Sequence, residues 1–314
     1  MLMEDNTNIN LWAHRALLAN GYVPIETPQI IQDTPWSSVS KILTTNGFVY
    51  LKLMPLTLSL EPQVTQLLAT KFDAPVPNII AQNQELHCFL MSDCGQSLRS
   101  LLKHNFQVDL LKQALGIYTR IQFATADQVN IFLELGVPDW RLAKLPDLYL
   151  QLILQQDFLQ QDGMTADDII RIQGSQHKVS ELCEKLAIYN IPETLDHTDF
   201  HDNNIVLDSN AKKLSIIDWG ETVITHPFFS VLNLREQVQR QHEYDMHDLC
   251  IDNWLLTIEK TRLTEVLKLA KQLWPVYSAL AYYRLTLSTN IEVLRTNPRN
   301  VGRITRYLRD FNAI

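Results

Sequence analysis

The sequence predicts an α+β chain: a small antiparallel sheet in an amino-terminal lobe, residues 1–93, then a larger, mostly helical lobe, residues 94–314. Three observations carry this. Short apolar and β-branched runs separated by turn residues fill the first lobe. Apolar residues at helical spacing dominate the second. One further pair of strand-like runs, around 205–208 and 214–217, flanks the polar stretch Ser209-Asn210-Ala211-Lys212-Lys213 and predicts a hairpin among the helices. A chain of 314 residues also exceeds one typical domain, so two lobes are expected on length alone.

The first element is a helix over residues 8–21, closed by Asn20-Gly21. Strands follow at Gln29–Gln32, Ser38–Leu43 and Phe48–Leu53, the last two joined by the tight-turn sequence Thr45-Asn46-Gly47. Glu61 heads the next helix, where an acid suits the positive end of the helix dipole. Leu86-His87-Cys88-Phe89-Leu90-Met91 reads as another strand, leading into Ser92-Asp93-Cys94-Gly95. Beyond it, Leu110, Ala114, Ile117 and Ile121 mark a helix widened by Leu111, Leu115 and Tyr118, and Leu148–Leu159 repeats the pattern. Thr165-Ala166-Asp167-Asp168 is a helix cap with an acidic first turn. Amphipathic helices continue past Trp219 to about Leu308.

A net charge of −8 argues against binding a phosphate backbone, which relies on Lys and Arg. Cys88, Cys94, Cys183 and Cys250 show no metal-type spacing, which fits a reducing compartment. Met1-Leu2-Met3-Glu4-Asp5-Asn6 lacks the basic and apolar regions of a secretory leader, and no apolar run reaches membrane-spanning length. The expectation is a cytoplasmic protein with no nucleic-acid or membrane partner.

The chemistry concentrates in residues 197–220. Asp199 stands five residues before Asn204, in the loop feeding the predicted hairpin, where it could accept a hydroxyl proton. The hairpin brings Asn204, ahead of its first strand, near Asp218, at the end of its second. An amide oxygen and a carboxylate meeting there suit Mg²⁺, a hard cation that prefers oxygen ligands and phosphate. Proton acceptor, amide and carboxylate in this order are the layout of a kinase catalytic loop.

His197-Thr198-Asp199, Asn204 and Ile217-Asp218-Trp219, with His226-Pro227-Phe228-Phe229-Ser230 after them, resemble the aminoglycoside phosphotransferase and choline kinase family, whose fold is bilobal and protein-kinase-like. Thr198 stands where that family usually has Gly, and His201 matches its second His. The resemblance implies transfer of the terminal phosphoryl group of ATP or GTP to a hydroxyl of a small molecule. Asp199 is then the base, His197 a buttress of the loop, and Asn204 and Asp218 the Mg²⁺ ligands. Lys52 reaches the nucleotide phosphates and pairs with Glu61, while Met91 and Asp93 lie in the segment that holds adenine through backbone groups. The first lobe becomes the nucleotide-binding lobe, and the second carries the catalytic loop and the acceptor site.

One departure concerns the loop that should cover the phosphates. Thr34-Pro35-Trp36-Ser37-Ser38 contains no glycine, so Ser37 and Ser38 are left as candidate donors. A catalytically inactive nucleotide-binding protein is therefore the alternative. A metallohydrolase built on His197, Asp199 and His201 is a further one. A protein kinase lacks support, because the Arg, Phe-Gly and Ala-Pro-Glu signatures are missing, and with Thr198 in place of that Arg no activation-loop switch is expected. Gln241–Asp248 is rich in ionisable groups; Glu243, Asp245 and Asp248 suggest an acidic rim for a cationic acceptor. His242 and His247 are five apart, which fails the zincin spacing. Arg295, Arg299, Arg303, Arg306 and Arg309 read as a solvated terminal face, with an anion or partner site as the alternative.

Overall fold

The computed structural model describes residues 3–289, 294, 296–298 and 300–313. The chain forms two compact units, one of residues 1–100 with 203–220 and one of residues 101–202 with 221–314. Arg295 and Arg299 lie outside the described residues.

In the first unit, helix α1 (Met3–Ala19) begins earlier than residue 8 and ends before Gly21, whose φ of +81° stops it. Strands β1 (Gln29–Asp33), β2 (Ser38–Thr44), β3 (Gly47–Leu53), β4 (Ile79–Asn83) and β5 (Cys88–Ser92) form an antiparallel sheet in the order β1-β2-β3-β5-β4. Gly47, at φ +97°, turns β2 into β3. Ile9, Ala13 and Leu17 of α1 pack on Ile42, Val49, Leu51, Cys88 and Leu90 of the sheet, which gives the unit its own core. Helix α2 (Glu61–Phe72) follows β3 and buries Val64 and Leu68.

The hairpin of β8 (Ile205–Asp208) and β9 (Lys213–Ile216) belongs with these elements, although the sequence grouped 94–314 together. The cause is backbone pairing. Strand β6 (Gln96–Ser97) pairs antiparallel with β8, and Ile216 N–H donates to the Pro75 carbonyl at 2.9 Å. Gly95 makes that pairing possible: its φ is +107°, and a Cβ there would sit 2.1 Å from the Leu207 carbonyl oxygen.

The second unit is helical, apart from β7 (Thr194–Asp196) paired with β10 (Val223–Thr225). After α3 (Leu98–His104), whose last residues open this unit, comes α4 (Val108–Ala126). Its buried stripe runs through Leu111, Ala114, Leu115, Tyr118, Ile121 and Gln122, so Leu110 and Ile117 flank it rather than lead it. Helix α5 (Val129–Leu135) ends on Gly136. The predicted helix over 148–159 is two helices, α6 (Leu145–Ile153) and α7 (Gln156–Gln161), broken at Leu154 and Gln155. Helix α8 (Ala166–Gly174) has the expected cap, with Thr165 and Asp168 each accepting from the other's backbone N–H.

Helices α9 (Gln176–Ala187), α10 (Phe228–His242), α11 (His247–Asp252), α12 (Lys260–Thr286) and α13 (Arg303–Ala313) complete the unit. Glu243 takes a left-handed conformation, so 241–248 is a helix junction rather than one helical face. Among the described residues no helix is long and apolar enough to cross a membrane.

Candidate active site

Strand β3 delivers Lys52 and the head of α2 delivers Glu61, both nearly inaccessible to solvent at 5% and 2%. Lys52 Nζ lies 2.7 Å from Glu61 Oε2 and 2.6 Å from Asp218 Oδ1. A buried ammonium is costly alone and tolerable only with paired anions. Burial by itself would lower the Lys52 pKa, but Asp218 and Glu61 outweigh it and hold it above its ordinary value. Burial raises Glu61 to about 7, with Lys52 pulling the other way. Gly220 leaves room for this trio, since a Cβ there would come within 3.1 Å of Glu61 Oε2.

Asp218 ends the β8–β9 hairpin in a left-handed conformation, φ +69°. Ile205 pairs with Ile216, and Ile217 N–H donates to the Asn204 carbonyl at 2.9 Å. Asn204 and Asp218 therefore share one end of the hairpin. Asn204 is buried, while the Asp218 side chain remains 39% exposed. An amide and a carboxylate form a hard oxygen donor set that fits Mg²⁺, which binds few protein ligands and completes its shell with water and phosphate. Among the described residues no group of three His, Cys, Asp or Glu side chains is disposed to hold a metal.

The glycine-free loop closes on itself. Thr34 Oγ1 accepts from the backbone N–H groups of Trp36 and Ser37, and Thr34 N–H donates to the Ser37 carbonyl. Ser37 Oγ lies 3.4 Å from Thr34 Oγ1, and Ser38 is already in β2, opposite Leu53. Met91 lies in β5 opposite Tyr50, and Asp93 accepts the Gly95 N–H at 2.9 Å, holding the turn that follows.

The second unit holds the predicted base. Asp199 follows β7 by three residues, and its Oδ2 is 3.3 Å from His201 Nε2. Burial would raise the Asp199 carboxyl, but His201, helped by His197 and Arg303, holds it below its ordinary value. His197 is fully buried, with its ring 6.2 Å from that of Phe200, and its N–H donates to the Tyr118 hydroxyl.

Sequence reasoning missed Asp196. Its fully buried carboxylate accepts from Ser230 Oγ, the Tyr277 and Tyr118 hydroxyls, and the N–H groups of Thr198 and Ser230. These contacts pin Thr198, at φ +68°, immediately before Asp199. The available signal was a carboxylate inside the short strand Thr194-Leu195-Asp196, which demands partners. Tyr118 and Tyr277 lie 78 and 81 residues away, beyond any local spacing.

Asn233 and Trp274 were missed as well. Asn233 Nδ2 donates to the Thr198 carbonyl, and Trp274 Nε1 donates to Asn233 Oδ1 at 2.8 Å. The acidic rim is partly neutralised already, with Asp245 on Arg235 and Asp248 on Lys260. His242 stacks on Phe106. The terminal arginines are not simply solvated either, for Arg309 pairs with Asp168 at 2.7 Å.

A sheet with a doubly paired lysine, in one chain with a helical unit that carries a separate acid after a short strand, is the architecture of the kinase-like α+β proteins. The chain belongs to the phosphotransferase enzyme family, whose family model matches residues 36–241. It is similar in fold to a choline kinase from Streptococcus pneumoniae, at 12% identity and a TM-score of 0.63, over 98% of this chain and 100% of that one. An ethanolamine kinase from Plasmodium vivax gives 14% identity and a TM-score of 0.59, over 89% and 81%. A type I macrolide 2'-phosphotransferase gives 13% identity and a TM-score of 0.58, over 97% and 98%. No curated protein matches.

Proposed function

We propose that the protein transfers the terminal phosphoryl group of ATP or GTP to a hydroxyl of a small molecule. The observation that carries this reading is the buried Lys52 between Glu61 and Asp218, at the end of a hairpin that also presents Asn204. A fixed ammonium of this kind can steady phosphate oxygens without reorganising as charge develops on them. Glu61 fixes the ammonium's position. Met91 and Asp93 lie in the segment proposed to take the adenine through backbone groups.

Asn204 and Asp218 would hold Mg²⁺, which when bound supplies neutralisation of phosphate charge. Asp199 orients the acceptor hydroxyl and takes its proton as the new O–P bond forms. A carboxylate held below its ordinary pKa stays ionised and ready for that at neutral pH. His197 and Asp196 hold the loop in place. Ser37 and Ser38 remain the candidate donors to the phosphates, although the amides of Trp36 and Ser37 are taken by Thr34 Oγ1.

That self-bonded loop favours a second reading, a nucleotide-binding protein that does not transfer phosphate. Calorimetry with nucleotide, with and without Mg²⁺, on wild type and Asp218→Ala tests the site itself. Mg²⁺-dependent binding that the variant loses supports it; no binding by wild type ends both readings. Acceptor-dependent release of ADP or GDP, lost in Asp199→Asn, separates the enzyme from the inactive binder.

A further inference from the structure

Helix α13 opens with Arg303, at the end of a helix dipole that disfavours cations. A guanidinium there needs compensation, and no carboxylate pairs with it among the described residues. It lies instead over two aromatic faces, 4.5 Å from the Tyr282 ring centre and 5.8 Å from that of Tyr307, with Nε donating to the Tyr307 hydroxyl at 3.2 Å. Among the described residues its terminal nitrogens make no hydrogen bond. A planar fork fixed by stacking, with its paired donors open, is the geometry that receives carboxylate or phosphate.

The position is tied to the catalytic loop. Tyr307 meets Trp274 edge-on, with ring centres 6.0 Å apart; Trp274 donates to Asn233, and Asn233 to the carbonyl of Thr198, next to Asp199. The Arg303 charge also helps to hold the Asp199 carboxyl low.

We propose that Arg303 receives an oxyanion of the acceptor, so that the substrate is a small hydroxylated carboxylate or phosphate ester rather than a cationic amine. This rests on the phosphotransferase reading. The guanidinium also places a positive charge against the faces of Tyr282 and Tyr307, which disfavours a quaternary ammonium there. The acceptor's hydroxyl goes to Asp199 and its anionic group to Arg303.

The test is ATP-dependent turnover of glycerate, glycerol 3-phosphate, glycerol and choline by wild type, Arg303→Met and Arg303→Lys. The inference expects turnover of an anionic probe over glycerol and choline. Arg303→Met should lower kcat/KM for that probe about 100-fold, chiefly through KM, with the KM for ATP unchanged; Arg303→Lys should recover part of it. Preferred turnover of choline or glycerol, or an anionic-probe KM unmoved in Arg303→Met, overturns it.

If no probe turns over, inorganic phosphate titrated into ATP-saturated protein decides. Weak binding lost in Arg303→Met, at unchanged Tm, supports the assignment; absent or equal binding in the two proteins ends it. ATP binding measured in the same samples shows separately whether the phosphotransferase reading stands.

Discussion

Two buried clusters of charge sit in this chain and are stabilised in opposite ways. In the first unit, Lys52 is balanced by opposite charges on Glu61 and Asp218. In the second, Asp196 has no cation on it among the described residues and is satisfied by hydroxyls and backbone N–H groups. An ion pair depends on both partners keeping their charge, whereas the hub around Asp196 depends on where its donors are. The first arrangement suits a group that must meet a charged ligand. The second suits a group that only has to fix a loop.

Removing Asp196 should have the largest effect. Asp196→Ala takes the acceptor from the Tyr118, Tyr277 and Ser230 hydroxyls and strands the Ser230 N–H in the core, while the Thr198 N–H keeps Ser230 Oγ, for a loss of about 4 kcal/mol in urea unfolding. Lys52→Met leaves two carboxylates facing each other and should cost about 3 kcal/mol, discounted because the Asp218 side chain is 39% exposed. If the order of these two losses reversed, hydroxyl satisfaction would be the weaker device.

Gly220→Ala adds a Cβ 3.1 Å from Glu61 Oε2 and should cost about 1 kcal/mol, with a weaker ATP affinity by calorimetry.

The last effect is a slope with pH rather than a fixed loss. The folded Glu61 carboxyl is raised from 4.5 to about 7, so the native state keeps a proton that the unfolded state releases across that window. Its contribution to stability is present below pH 4.5 and declines as pH rises through the window to about 7. Glu61→Gln should remove that decline, at most about 1 kcal/mol per pH unit, in urea titrations at stepped pH.

Four of the five strands of the small sheet were readable from their apolar runs and turn residues, Gly47 above all, whereas β4 (Ile79–Asn83) and the order of the strands were not. The hairpin that brings Asn204 beside Asp218 was readable for the same reason. What was hidden depended on distant parts of the chain. Residues 148–159 break at Leu154 although their apolar pattern runs through. At the margin of the α4 stripe Leu110 and Ile117 are only half-buried while Leu111 and Tyr118 are buried, because packing decides which of two adjacent apolar residues turns inward. Asp196 gathers donors from α4, α10 and α12, and Arg303 meets the Tyr282 ring from another helix. Spacing along the sequence cannot show either.

The pairing of β6 with β8 has a consequence for how the gene can be divided. The first unit has no contiguous coding segment, since residues 203–220 are spelled out a hundred codons after the rest of it. A fragment ending at Ser100 would carry an edge strand without its neighbour and a lysine without its second carboxylate. Recombination that exchanged only the front of the gene would therefore swap most of this lobe while leaving the old hairpin in place. The two parts of that lobe can change partners only as a matched pair.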